Sequence, residues 1–97
     1  MLKYVFMFLF LTLTSAVVCG DELRVMTLNI RNDNPNDGLD NWKFRDHIVA
    51  SMFAKHKVDV AGLQEVKHGQ LLRLNELLPS YAAVGVGRDD GKTKGEY

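Results

Sequence analysis

The segment from Val58 to Glu65 constrains the fold of this chain more than any other. It reads Val-Asp-Val-Ala-Gly-Leu-Gln-Glu, a mostly apolar run bounded by polar residues. A run of this length is typical of a strand that is covered on both faces of a parallel sheet. In open α/β sheets, ligands bind beyond the carboxyl ends of the strands. The sequence therefore places Glu65 where a metal ligand or a catalytic base would lie.

The residues before this strand predict a strand and a helix. Leu23 to Ile30 alternates like a strand, and Trp42 to His56 carries apolar residues at helical spacing. The apolar stripe of this helix comprises Phe44, Ile48, Val49, Met52 and Phe53. A strand, a helix and a strand in this order predict a right-handed βαβ unit with parallel strands. Asn29 and Glu65, at the two strand ends, should therefore converge at one edge of the sheet.

The second half of the chain continues the alternation, so the order of elements is β-α-β-α-β and the fold class is α/β. A helix is predicted from about Gly69 to Leu78, ended by Pro79. Its buried face should comprise Leu71, Leu72, Leu74, Leu77 and Leu78. A third strand is predicted from Tyr81 to Val86. A charged turn follows at 88–95, and Glu96 with Tyr97 would open a fourth strand.

The first twenty residues are typical of a secretory signal peptide, which leaves 21–97 for the folded domain. Lys3 provides the positive start, Tyr4 to Leu13 the apolar core, and small residues follow as far as Gly20. This core is shorter than the ~20 residues that span a bilayer, so no transmembrane helix is expected. The protein should be secreted or periplasmic. An alternative is a lipoprotein modified at Cys19, although Val18 before it fits that pattern poorly.

Charge and length limit the function further. The chain has 12 Lys and Arg against 12 Asp and Glu, with no basic block. Non-specific nucleic-acid binders usually carry clustered Lys and Arg, which this chain lacks. The charge balance does not exclude an enzyme that acts on phosphate esters. A domain of the remaining size buries only about 60% of its unfolded surface. The chain is therefore expected to be the amino-terminal part of a larger domain, inert and poorly folded alone.

Each candidate site residue has a plainer alternative. Glu65 could ligate Mg²⁺ or Mn²⁺, since Mg²⁺ often takes only one or two carboxylates, or it could be a solvated surface residue. Asn29 could bond a phosphate or orient a metal-bound carboxylate, or it could only start a turn. The histidines His47, His56 and His68 are predicted to lie on the surface. Arg88 either is solvated or contacts phosphate.

Several short sequence motifs, taken in their order along the chain, resemble those of a known family. They are Met26 to Arg31, Asn41-Trp42 with Arg45, Asp59 to Val66, Gln70-Leu71, Gly85 to Gly91, and Gly95 to Tyr97. In this order they resemble the endonuclease/exonuclease/phosphatase superfamily, in particular its secreted bacterial, deadenylase-like and deoxyribonuclease-like members. The resemblance covers nearly all of residues 23–97. Its most specific part is the Leu-Gln-Glu-Val box that ends at Val66, combined with an upstream strand that ends in Asn29.

The resemblance implies a four-layer α-β-β-α sandwich that hydrolyses phosphodiester or phosphomonoester bonds with Mg²⁺ or Mn²⁺. It implies that Glu65 holds the metal, that Asn29 lies in the same metal site, and that Glu96 pairs with a catalytic histidine. The substrate would be a nucleic acid, a nucleotide or a phospholipid head group, with no stable protein partner. The family also needs a later His, an Asp-x-Asn pair, another Asp and a terminal Asp-His couple, which would follow Tyr97. A non-catalytic secreted binding module or a decayed enzyme is the alternative.

Overall fold

The computed structural model describes residues 22–97. The predicted signal peptide and Cys19 lie outside the described residues. None of the helices within the described range has both the length and the apolar character needed to cross a bilayer.

Two strands form the sheet, and they are parallel as predicted. Strand β1 spans Val25–Asn29 and strand β2 spans Val60–Gln64. Their register runs from Val25 opposite Val60 to Asn29 opposite Gln64. Within residues 22–97 the outer face of the sheet is uncovered, since Val25 and Val60 are 68% and 51% exposed, so the cover of β2 on both faces stays a prediction. The helices cover the opposite face of the sheet, on which Leu28 and Leu63 lie.

The first helix, α1, spans Asp46–Lys55 and so begins later than predicted. Residues 42–44 form a 3₁₀ turn instead, and the Asn41 side chain accepts a hydrogen bond from the Lys43 N–H at its start. Phe44 lies in this turn and Ile48 on the outer side of α1, and both are exposed, contrary to the predicted stripe. Val49 and Phe53 are buried as predicted.

The second helix, α2, spans His68–Leu77, close to the predicted bounds. Leu74 is buried and Leu71, Leu77 and Leu78 pack against the core, but Leu72 is exposed. The buried core comprises Ile30, Trp42, Val49, Ala50, Val66 and Leu74. Ile30 and Val66 are only 2% and 4% exposed, and each directly follows a candidate site residue. Their burial anchors the backbone at the carboxyl end of each strand.

The predicted third strand is wrong. Residues 81–86 carry no strand ladder, and the Tyr81 N–H bonds back to the Leu78 carbonyl in a turn. An extended segment becomes a strand only when a neighbour pairs with its backbone, and residues 22–97 provide none for this segment. Glu96 likewise forms a single antiparallel bridge, with Lys67, in place of a fourth strand.

An ion pair joins the two helices and makes their packing sensitive to acid. Arg73 Nε donates to the largely buried Asp46 carboxylate at 2.7 Å, and the same guanidinium contacts the exposed Glu76 at 2.9 Å. The hydrogen bond from Arg73, and further ones from the His47 side chain and backbone, hold the pKa of Asp46 below its usual value. The stability that this depressed pKa provides is present above the ordinary aspartate range and is lost as the pH falls through the folded-state value.

We therefore expect Asp46→Asn to destabilise the protein at neutral pH and to do so less in acid. The measurement is denaturant unfolding of both proteins between about pH 7 and about pH 2. Glu76→Gln, which alters the exposed partner of Arg73, is the control and should change stability little. If the difference in free energy of unfolding between wild type and Asp46→Asn stays constant with pH, the lowered pKa of Asp46 does not contribute to stability.

Candidate active site

The topology brings the two predicted site residues into direct contact. Asn29 ends β1 and Glu65 directly follows β2, so the parallel register places them side by side although they are 36 positions apart. The Asn29 Nδ2 donates to Glu65 Oε2 at 2.7 Å. The Asn29 Oδ1 accepts from the Arg31 N–H at 2.8 Å, which fixes the orientation of the amide. The predicted convergence is therefore present at this edge of the sheet.

The backbone at this edge adopts a sparsely populated conformation. Glu65 has a φ of 63° and Arg31 a φ of 58°, both in the left-handed region that non-glycine residues rarely occupy. Such residues cost roughly 1–3 kcal/mol each and persist only where the surrounding structure holds them. Here the buried Ile30 and Val66 and the hydrogen bonds to the Glu65 carboxylate hold this conformation.

A third residue, Asn32, completes the contacts of Glu65. Its backbone N–H and its Nδ2 donate to Glu65 Oε1 at 3.2 and 3.3 Å. The same Nδ2 donates to Glu96 Oε2 at 3.1 Å, so the predicted residue Glu96 joins the cluster through Asn32. Sequence reasoning missed Asn32, because nothing in the spacing of this asparagine-rich loop distinguishes it from Asn34 or Asn36.

Contacts with the start of α2 hold Glu96 at the site. The Tyr97 N–H donates to the Val66 carbonyl at 2.8 Å, beside the bridge between Glu96 and Lys67. The Tyr97 hydroxyl lies 2.7 Å from His68 Nδ1, and the two rings stack. The prediction that His68 is a surface residue is therefore wrong, since the ring is half-buried and hydrogen-bonded to Tyr97. His47 and His56 are exposed as predicted.

Arg88, the candidate phosphate contact of the charged turn, lies against Glu96. Its backbone N–H donates to the Glu96 carbonyl at 2.8 Å. Its guanidinium is 3.6 Å from Glu96 Oε1, and its side chain is largely exposed. Arg88 therefore lies at the margin of the cluster, and its contact with phosphate stays a prediction.

The loop after β1 is held in place by a buried glutamine. Gln70 is 1% exposed. Its Nε2 donates to the Arg31 carbonyl, and its Oε1 accepts from the Asp33 N–H, at 2.9 and 3.1 Å. Its Oε1 also accepts from the Lys67 N–H at 3.0 Å, the contact that a Gln at the third position of a helix makes in a capping box. One side chain thus joins the loop to the start of α2.

Arginine side chains complete the support of this loop. The Arg45 guanidinium donates to the Ile30 carbonyl at 2.7 Å and to the Arg31 carbonyl at 3.3 Å, and it lies over the Trp42 ring. Arg31 in turn binds Asp37 through two hydrogen bonds of 2.8 and 2.7 Å. The hydrogen bond with Asp37 raises the pKa of Arg31, and the ion pair fixes the position of the guanidinium in this loop.

The hydrogen bonds of Glu65 also set its charge. The Asn29 side chain, followed by the Asn32 backbone N–H, lowers the pKa of Glu65 below its usual value. Amide donors favour the ionised carboxylate, because they stabilise its negative charge and not the neutral acid. Glu65 is therefore an anion at neutral pH. Its Oε1 already accepts two hydrogen bonds, so the lone pair left for a further partner is on Oε2, which accepts one.

The donor set suits a hard cation only in part. Within residues 22–97, no three His, Cys, Asp or Glu side chains are grouped closely enough to hold a metal ion. The site offers the ionised Glu65 carboxylate, with Glu96 linked to it through Asn32. Mg²⁺ is often bound by one or two carboxylates, with water and substrate phosphate filling the other positions. The residues present therefore fit one side of a magnesium or manganese site.

The comparison with family models finds one match over most of the chain. Residues 26–96 match the model of the Endonuclease/Exonuclease/phosphatase family. The matched range contains Asn29, Asn32, Glu65 and Glu96, the four residues of the cluster described above. No curated protein matches the chain.

Solved bacterial structures superpose on the chain. An endonuclease/exonuclease/phosphatase of Bacteroides vulgatus is 51% identical, with a TM-score of 0.76 over 77% of this chain and 29% of its own. A family protein of Bacteroides thetaiotaomicron is 45% identical, with a TM-score of 0.74 over 76% of this chain and 28% of its own. A mannosyl-6-phosphatase of the same species is 44% identical, with a TM-score of 0.74 over 77% and 29%. The chain thus spans less than a third of the length of each structure.

Proposed function

Because the chain belongs to the endonuclease/exonuclease/phosphatase family, we propose that it provides the metal-binding side of a phosphoesterase active site. The observation that supports this most is the cluster in which Asn29 and Asn32 orient the ionised Glu65, with Glu96 beside it. Members of this family are hydrolases, and one structural neighbour is named a mannosyl-6-phosphatase. The reaction we propose is therefore the hydrolysis of a phosphate ester.

In this proposal Glu65 is a ligand of Mg²⁺ or Mn²⁺. When bound, such a metal stabilises the charge on a phosphoryl oxygen and lowers the pKa of a coordinated water. Asn29 holds the Glu65 carboxylate through Oε2 and keeps it ionised. Asn29 is placed to orient this ligand, and its own amide oxygen, which accepts from Arg31, is proposed as a second metal contact. Glu96 is proposed to orient a catalytic histidine.

For the substrate we propose a small phosphate monoester, such as a phosphorylated sugar, ahead of a nucleic acid or a phospholipid. The chain carries equal numbers of acidic and basic residues and no basic block, whereas nucleic-acid binding relies on contacts between clustered Lys or Arg and phosphate. The neighbour named a mannosyl-6-phosphatase is 44% identical to the chain. Both observations favour the monoester.

We also propose that the sheet belongs to a four-layer sandwich in a secreted or periplasmic protein. The exposed Val25 and Val60 give the outer face of the sheet an apolar character that a second sheet would cover. The export signal is proposed on the sequence of residues 1–20 alone.

Removal of metal tests the proposed function. The full-length protein, stripped with a chelator, is expected to lose hydrolysis of phosphate esters and to regain it with Mg²⁺ or Mn²⁺. The assay uses mannose 6-phosphate, glucose 6-phosphate, a single-stranded DNA and sphingomyelin, with release of phosphate or cleavage as the readout. Hydrolysis that is equal with and without metal would contradict the role of Glu65. Faster turnover of DNA than of the sugar phosphates would overturn the proposed substrate.

Asn29→Ala tests the orienting role of Asn29. We expect kcat/KM to fall by about 10- to 100-fold, because partners that orient metal ligands have effects of this size. Thr27→Ala, at another exposed position of β1, is the matched control and should stay within about two-fold of wild type. Steady-state kinetics at saturating Mg²⁺ compare the variants. If Asn29→Ala and Thr27→Ala have equal kcat/KM, Asn29 serves only to start the turn after β1.

A further inference from the structure

The loop after β1 links the two glutamates of the site through one side chain. Asn32 Nδ2 donates to Glu65 Oε1 at 3.3 Å and to Glu96 Oε2 at 3.1 Å. An asparagine amide nitrogen carries two hydrogens, so it can give one to each carboxylate. Within residues 22–97, no other side chain hydrogen-bonds to both glutamates. The relative position of the two acids therefore depends on Asn32.

The backbone on both sides of Asn32 is fixed by buried or extensively bonded groups. Gln70 bonds the carbonyl of Arg31 and the N–H of Asp33, the residues that flank Asn32. Lys67 Nζ donates to the Asp33 carbonyl at 2.9 Å, and Arg45 donates to the Arg31 carbonyl. The Asn32 side chain thus starts from a rigid backbone, so its amide holds the carboxylates in one arrangement.

We propose that Asn32 is a positioning residue that fixes the distance and orientation between Glu65 and Glu96, an inference that rests on the proposed phosphoesterase function. Two carboxylates repel each other, and an amide that donates to both offsets part of that repulsion. Glu65 Oε2 and Glu96 Oε2 each accept one hydrogen bond, so each keeps a lone pair for a further partner. Asn32 acts on the reaction through the two acids and not through the substrate.

Asn32→Ala tests this role, because it removes both donor hydrogens and keeps the backbone N–H. We expect the Kd for Mn²⁺, measured by calorimetry on the full-length protein, to rise about 10-fold or more. We expect kcat to fall by a similar factor while the KM for a sugar phosphate stays within about two-fold. Asn34→Ala is the matched control in the same loop, since the Asn34 side chain accepts only from the Asn36 N–H. Asn34→Ala should leave the Kd for Mn²⁺ and kcat within about two-fold of wild type.

A double-mutant cycle separates positioning from general support of the loop. In a Glu96→Ala background one partner of Asn32 is gone, so Asn32→Ala should lower kcat by clearly less than about 10-fold. If Asn32→Ala lowers kcat by the same factor in wild type and in Glu96→Ala, Asn32 has only a structural role. Where Asn32→Ala does not fold, Asn32→Leu keeps the approximate size of the side chain without the donors or an added charge, and it is expected to lower kcat as strongly.

Glu65→Gln distinguishes failure of this inference from failure of the proposed function. If Glu65→Gln abolishes Mn²⁺ binding while Asn32→Ala matches Asn34→Ala, the role of Asn32 is overturned and the function stands. If Glu65→Gln keeps both Mn²⁺ binding and activity, the proposed function itself is overturned.

Discussion

Glu65→Gln is expected to lower kcat/KM of the full-length protein by at least ~100-fold. Loss of a partner that merely orients a metal ligand costs about 10- to 100-fold, and loss of the ligand's charge should cost more. Glutamine keeps the size of the side chain, and its Oε1 can still accept from the Asn32 backbone N–H and Nδ2, whereas its Nε2 cannot accept from Asn29. The change therefore removes the negative charge and the hydrogen bond from Asn29 but keeps the size of the side chain.

The measurement is kcat/KM for a sugar phosphate across a titration of Mg²⁺ and of Mn²⁺. Glu22→Gln, a change of the same kind at an exposed position, is the control and should be indistinguishable from wild type. Unfolding curves of both variants would show that the Glu65→Gln effect is not a loss of fold. A Glu65→Gln protein that keeps wild-type activity over the whole titration would exclude the ligand role.

The convergence of Asn29 and Glu65 could be predicted because it depends only on topology. Parallel strands joined by a helix bring their carboxyl ends to one edge, whatever the loops do. The tips of the strands are also marked in the sequence, where apolar runs end in Asn and in Gln-Glu. The arrangement at 2.7 Å in the structure follows from that pattern and from the observed register.

The predictions that failed depend on pairing and on tertiary contacts. Residues 81–86 have the composition of a strand, but a strand also needs a partner backbone, which composition does not reveal. Ile48 fits an apolar stripe by spacing, yet the face of α1 that packs on the core carries Val49, Ala50 and Phe53 and leaves Ile48 exposed. The partner of His68 is Tyr97, 29 positions away, and spacing along the sequence does not reveal such a contact.

The burial of Gln70 at the site likewise depends on tertiary contacts that the sequence does not show. A polar residue in the first turn of an amphipathic helix is ordinarily exposed. Here it is buried because the start of α2 packs on the loop after β1, and both segments present backbone groups that need partners. A glutamine at the third helical position signals a cap, but only the fold shows that the same side chain also reaches Arg31 and Asp33.

Gln70→Leu is accordingly expected to lower the free energy of unfolding by about 3 kcal/mol. Leucine has a similar volume but leaves the Asp33 and Lys67 N–H groups without their acceptor, and each buried group left unsatisfied costs about 1–3 kcal/mol. The Arg31 carbonyl loses the Gln70 donor and keeps only the contact with Arg45. Denaturant unfolding of the full-length protein measures the change as a lower midpoint at a constant slope.

The matched control is Gln64→Leu at the end of β2. Gln64 is exposed, and its amide bonds only the Thr27 hydroxyl and the Gly62 carbonyl, so the change should stay within about 1 kcal/mol. Gln70→Glu separates the contacts, because it keeps the acceptor for the two N–H groups and loses the donor to the Arg31 carbonyl. If Gln70→Leu is no less stable than Gln64→Leu, another group must hold the loop, and the rigidity attributed to Asn32 would lose its source.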